Sequence, residues 1–386
     1  MRIINLLLLG FIPLFLLAGC SPDVREINSI ALVTITGVDY DEQSKKFIIT
    51  LYCNYTPSAS KDMPEKTLEW IASSSGESIL DAARNIRSRA GKQLIWQHDK
   101  FFIVGESAAR HKFYEIIDYF NRSREIRMSG YLAISKGKAS DILQLKSESG
   151  DLITNEIEGK VRNEHLWGKS INIELKDIVN YYTDPNRGFV IGKMNISKPI
   201  NSDRSVMILS GGSVINKGKL VGWMSADDVL SVHMLMGKKK WRYLEFVQSV
   251  PFKSEKVSLM MKILKSKTHY KSINGRPALT IDVKLKGTLI DTSGPILLTA
   301  NRTLEQLEDA AEKVVQQQLK VSLSHFQRDM KVDVLGFSDF LRQYHPNVWK
   351  RTRQNWMEVY PTLPVTITVS ASIPNLGMSQ VLGGGQ

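Results

Sequence analysis

Residues 257–289 read VSLMMKILKSKTHYKSINGRPALTIDVKLKGTL, and their alternation decides the fold of the second half of the chain. Val257, Leu259, Met261 and Ile263 repeat at a spacing of two, as do Leu279, Ile281, Val283 and Leu285 beyond Asn274-Gly275, with Leu289 in the same phase past Gly287. A period of two is that of a strand, and Asn-Gly accepts the positive φ of a tight hairpin turn. The reading is two long antiparallel strands with one apolar face, the other carrying Lys262, Asp282, Lys284 and Lys286. An apolar face must be covered. The cover comes next in sequence. Thr303-x-x-Gln306 reads as a capping box opening a helix over 304–330, with Leu307, Ala311, Val314, Val315, Leu319, Leu323 and Phe326 in one stripe. At 1.5 Å per residue that helix spans about 40 Å. Short helices over 337–344 and 348–359, a strand over 365–373 and a Gly-rich tail complete the chain. Trp349 and Trp356, seven residues apart, are expected to share a face in the core.

Working outward, Val206 to Val214 and Leu220 to Met224 form a hairpin around Asn216-Lys217-Gly218, and Ser225-x-x-Asp228 caps a helix to about Met236. In the first half, 30–38 and 47–55 pair as a hairpin. Ser78-x-x-Asp81 starts a helix through Ile79, Ala82, Ala83, Ile86 and Ala90, with Gly91 as a left-handed stop. Strand-forming runs at 93–105 and 128–135 alternate with helices at 107–120 and 139–145, and a further helix lies near 175–182. The expected fold class is α+β: a mixed-sheet N-terminal region, then an antiparallel sheet packed on a long helix. The expected units are a signal segment 1–19, an N-terminal domain 20–200 that divides in two or not, a C-terminal domain 201–375 and a tail 376–386.

Met1 to Gly19 holds one charge, Arg2, before the run INLLLLGFIPLFLL, which is too short and too interrupted by Pro13 for a spanning helix. It suits the central region of a secretory signal. Leu17-Ala18-Gly19-Cys20 resembles a bacterial lipobox, with Cys20 expected to carry an S-diacylglycerol group and an N-acyl chain after cleavage. Two acyl chains hold a protein on a bilayer where one is marginal. Cys53, the other of 2 cysteines, lies in phase with Phe47, Ile49, Leu51 and Tyr55, and reads as a small buried hydrophobe.

The 386 residues are 42% apolar, which excludes a disordered polyelectrolyte, and 2 cysteines exclude a disulfide miniprotein. No phosphate loop, HExxH or CxxC is present, and the 7 histidines lack ligand spacing, so neither a metal nor another cofactor is expected. Gly105-Glu106-Ser107-Ala108-Ala109 stands at a strand-to-helix junction, where Ser107 reads as a helix N-cap in preference to a nucleophile. His98, between Gln97 and Asp99, reads as structural. No catalytic or metal-binding residue is assigned. Charge is more informative. The whole chain has 51 Lys and Arg against 39 Asp and Glu, while residues 238–286 alone hold 13 against 3, a net +10. That strip is either a solvated face whose lysines block edge pairing, or a contact for anionic lipid or an acidic partner. Nucleic acid is not expected.

Several motifs recur in an order that resembles one family. Cys20 is followed by Arg25-Glu26-Ile27-Asn28, Gly37-Val38-Asp39, and the stretch SSSGESILDAARNIRSRAGKQLIWQHDKFFIVGESAA with Gly76, Ala82, His98, Gly105 and Glu106. Lys136-Gly137-Lys138-Ala139, GGSVINKGKLVGW at 211–223 and DVLGFSDFLRQYHPNVWKRTRQNW at 333–356 continue it. The chain is similar to the Ger(x)C family, the C-subunit lipoproteins of nutrient germinant receptors in spore-forming Firmicutes. Ser21-Pro22 departs from the family's usual aromatic-acidic pair after the cysteine. The resemblance implies a non-enzymatic receptor subunit anchored on the outer face of the spore inner membrane, acting with membrane-embedded A and B subunits. It gives no chemical role to His98 or Glu106. A solute-binding lipoprotein that captures a small nutrient is the alternative.

Overall fold

Phe101–Gly105 (FFIVG) is apolar at every position, and a strand of that kind needs cover on both faces. It obtains it at the centre of the first of two sheets. The computed structural model describes residues 29–56, 67–294 and 301–375. The signal segment, Cys20, Arg25–Asn28 and the tail lie outside them.

The first half runs β1 (Ile30–Asp41), β2 (Lys46–Tyr55), β3 (Leu68–Gly76), α1 (Ile79–Asn85), β4 (Gln93–Ile95), β5 (Phe101–Gly105), α2 (Glu106–His111), α3 (Phe113–Arg122), β6 (Tyr131–Ser135) and α4 (Ala139–Leu143). It continues through α5 (Ile153–Arg162), α6 (Glu164–Trp167), β7 (Ile173–Glu174), α7 (Leu175–Val179), β8 (Phe189–Ser197), β9 (Val206–Asn216) and β10 (Lys219–Met224). The sheet order is β10-β9-β8-β6-β5-β1-β2-β3, parallel from β8 to β1 and antiparallel on both flanks. Phe102 and Val104 point into the core under α1, α2, α3 and α7, and Phe101 and Ile103 into the one under α4 and α5.

The second half runs α8 (Ala226–Met236), β11 (Glu245–Phe252), β12 (Glu255–Ile273), β13 (Arg276–Thr292), α9 (Asn301–Ser324, continued by a π turn His325–Met330), α10 (Phe337–Tyr344), α11 (Pro346–Thr352), α12 (Trp356–Val359) and β14 (Val365–Asn375). Asn274 and Gly275 both have positive φ, as the hairpin requires. Leu307, Ala311, Val315, Leu319, Leu323 and Phe326 of α9 bury against the apolar face of β11 to β13. β14 adds to β13 in parallel. The helix also covers this new edge: Glu308 and Glu312 accept from the Ile373 and Ala371 amides (2.6 and 2.8 Å), and the Gln316 amide donates to the Ile367 carbonyl. An open edge strand invites pairing with another chain, so such cover has a purpose.

The α+β reading therefore holds, with local differences. The hairpin 206–224, expected to open the second half, extends the first sheet by pairing β9 with β8. Strand β8 itself was not expected. Its apolar start follows a Pro and Gly-containing stretch, and it acquires strand neighbours only through tertiary pairing. Thr303 lies inside α9 and is not its N-cap. Gly91 is not left-handed; α1 ends at Asn85 in a 3-10 turn. The Ser78 and Ser225 caps form as read, the latter with a complete capping box. Trp356 is fully buried and Trp349 packs edge-on to it, with ring centroids 5.5 Å apart.

If burial of the α9 stripe holds the second half together, Leu319→Ala should cost about 2–5 kcal/mol of unfolding free energy. Val321→Ala, on the exposed side of the same helix, should change stability by less than about 0.5 kcal/mol. Denaturant unfolding of both variants checks this.

Candidate interaction surface

The family-like motifs turn out to mark internal supports. Asp39, at the C-terminal end of β1, accepts hydrogen bonds from the Ala139 and Ser140 amides (2.7 and 2.9 Å) and so caps α4 from a distant part of the chain. A helix start leaves orphan amides, and a buried carboxylate satisfies two of them here. Burial pushes the Asp39 pKa up against those bonds. Gly105 makes room for the contact: a Cβ there would stand 1.9 Å from Asp39 Oδ1. The motifs 37–39, 105–106 and 136–139 thus meet at one point.

Asp333 makes a second support. Its carboxylate accepts from the amides of Gly336, Phe337 and Ser338 (2.9, 3.0 and 2.7 Å), opening α10, and from Trp356 Nε1 at 3.3 Å. Its carbonyl accepts from the Gly188 amide at 3.2 Å, and the neighbouring Arg187 pairs with Asp339. These contacts join the first half to the second.

The residues singled out for chemistry do not converge. Ser107 is one residue inside α2, not its N-cap, which is Gly105; its hydroxyl donates to Glu42 (2.8 Å), not to a histidine. Glu106 pairs with Arg110 at 2.7 Å. His98 is exposed, and the buried member of that motif is its neighbour. Asp99 is fully buried, accepts from Thr36 Oγ1 at 2.5 Å, and desolvation pushes its pKa up to about 8. Sequence alone gave no signal for this, because an acid after a polar pair reads as surface. Cys53 is buried, and desolvation raises its thiol to about 12, which removes thiolate reactivity at neutral pH. Among the described residues no group of three His, Cys, Asp or Glu could hold a metal ion.

What the fold does assemble is a cationic sheet face. A bulge between Ile263 and Lys265 shifts the alternation of β12 by one residue. Up to Ile263 the odd positions are buried; beyond it Lys265, Lys267, His269 and Lys271 are exposed, continuing the side that Lys262 occupies. Lys262 stands opposite Lys286 and Lys265 opposite Lys284. Like charges directly across a ladder are destabilising, and the Lys267 charge holds the Lys265 ammonium below its usual pKa. The counter-charges are few: Glu245 pairs with Lys262 at 2.6 Å, and Asp282 lies 3.4 Å from His269 and accepts from Thr368. On β14 the same face carries the exposed residues Thr366, Thr368, Ser370 and Ser372. Lysines beside a column of hydroxyls form a broad surface suited to anions. The bulge was not legible in the sequence. Lys238 and Lys240, counted in the same basic strip, turn elsewhere, toward Trp241.

Comparison with known proteins agrees with this architecture. Residues 23–196 match the family model described as spore germination protein N-terminal domain, and residues 210–377 match spore germination B3/GerAC like, C-terminal. Spore germination protein B3 of Bacillus subtilis (strain 168) is 25% identical over 377 residues, 95% of this chain and 96% of its own. Spore germination protein KC of the same organism is 21% identical over 396 residues, 97% of this chain and 96% of its own. The crystal structure of the GerBC protein matches with a TM-score of 0.57 at 21% identity, covering 88% of this chain and 97% of that one, and so shares the fold.

Asp99 gives a pH dependence with a definite sign. Its folded pKa lies above the unfolded value, so the folded chain holds a proton that the unfolded chain releases, and stability falls as pH rises from about 4 to about 8. Asp99→Asn removes that term. Its unfolding free energy should gain on the wild type across this window, by up to about 1.4 kcal/mol per pH unit, in denaturant titrations at a series of pH values.

Proposed function

Because the chain belongs to the GerAC-like family of spore germination proteins, we propose that it is the lipid-anchored, non-enzymatic C subunit of a nutrient germinant receptor. The observation that carries the reading is the pair of family matches in order over nearly the whole chain. It is supported by the lipobox ending at Cys20. Among the described residues no helix is long and apolar enough to cross a membrane, and the proposed attachment is through Cys20. The protein sits on the outer face of the spore inner membrane and assembles with the A and B subunits. The sheet face of Lys262, Lys265, Lys267, Lys284 and Lys286 turns toward anionic headgroups, where each lysine contributes about 1 kcal/mol near the surface. The tether supplies this contact with a high local concentration of lipid.

Labelled palmitate should enter the wild-type protein and not Cys20→Ala, which should move to the soluble fraction when expressed without other receptor subunits. Equal labelling of the two contradicts the anchor. For the cationic face, the chain from Ser21 onward should bind phosphatidylglycerol-containing vesicles in a salt-dependent way. Replacing Lys265, Lys267, Lys284 and Lys286 with Gln should weaken that binding by about tenfold or more. Unchanged partitioning in a sedimentation assay contradicts the membrane-facing role.

A further inference from the structure

A crevice at the junction of the two halves is lined by three cations and one acid. Arg187 comes from the loop before β8, and Lys238 and Lys240 from the turn after α8. Tyr181 and Trp241 form its aromatic walls, and Asp177 is the one acid that lines it. Lys238 Nζ lies 5.7 Å from the Tyr181 ring centroid and 5.3 Å from that of Trp241. Among the described residues it has neither a hydrogen-bond acceptor nor an ion-pair partner. Burial, then repulsion from Arg187 and Lys240, lowers its pKa to about 8, and Asp177 opposes this only weakly.

Arg187 is 7% exposed. It stacks on Tyr181 at 4.0 Å and pairs with Asp339 through Nη1, while its Nε is buried with no hydrogen-bond partner. A buried guanidinium N–H left unpaired is costly, and a partner for it is to be expected. Lys240 is already engaged, donating to the Asn172 carbonyl at 3.0 Å. Glu164 is occupied too: it accepts from Trp241 Nε1 and Asn172 Nδ2 (3.0 and 2.9 Å). Asp339 serves Arg187 Nη1; what the crevice lacks is an acceptor for the Arg187 Nε–H and for the Lys238 ammonium.

We propose that this crevice binds one small monovalent anion, chloride or the carboxylate of a short acid, held by the Lys238 ammonium and the Arg187 Nε–H. The cavity volume is about 30 Å³. One water-sized sphere needs about 10–15 Å³, so the space takes a single small group and not an intact amino acid. The ion joins α8 to the segment before β8, and so braces the two halves where Asp333 already ties them.

The test uses the full chain in detergent, unfolded thermally over a range of sodium chloride or sodium formate, with ionic strength held constant by sodium gluconate, whose bulky anion does not fit. Wild type should show a saturable rise of a few degrees with either salt. Lys238→Met should lose it, and Lys239→Met, an exposed neighbour, should keep it. A rise that never saturates, or one of equal size in Lys238→Met, overturns the site. Should Lys238→Met fail to fold, chloride-35 NMR of the wild type decides. Excess line broadening that formate reverses supports the site, and its absence overturns it.

Discussion

The buried carboxylate of Asp333 is the contact on which the arrangement of the molecule depends. Three consecutive amides and an indole N–H converge on it, and its own backbone accepts the Gly188 amide from the other half. A charge at 3% exposure is tolerated only when its acceptor sites are filled. Removing it would orphan the start of α10 and free Trp356 together. Arg187, which lines the crevice with Lys238, is next to Gly188, whose amide donates to the Asp333 carbonyl. Asp39 repeats the device in the first half, where a carboxylate at a strand end fastens a helix start about a hundred residues away.

Much of the second half was legible because its signals are local. Alternation over 257–289, the Asn274-Gly275 turn and the stripe of α9 each lie within one continuous segment. The first half yielded its elements less completely. β8 has no clean alternation and is a strand because β6 and β9 flank it. The hairpin 206–224 was read correctly as a hairpin, yet no local feature tells which sheet it joins. The same limit hid Asp99 and the bulge at Ile263. Burial of one acid and a single-residue shift of register are decided by packing, and a charge count along the sequence cannot see either. The +10 of residues 238–286 is not one surface: part of it forms the outward lysine face, while Lys238 and Lys240 turn toward Trp241.

The functional proposal rests on the family matches, and the use of polar chemistry is in keeping with it. Asp39, Asp333, Glu164 and Glu106 are all engaged in structural bonds, and Ser107 and His98 stand apart from any common site. The described surface offers a lysine and hydroxyl face, and the sequence before it holds Leu17-Ala18-Gly19-Cys20, which resembles a lipobox. Both are features that the proposed anchored receptor subunit would use. The family matches place the same architecture among spore germination proteins.

The most direct measurement is dipicolinate release from spores whose other nutrient receptors have been removed. With this gene deleted, release on nutrient addition should be lost while release triggered by non-nutrient agents persists. Normal nutrient-triggered release from the deleted strain would contradict the account.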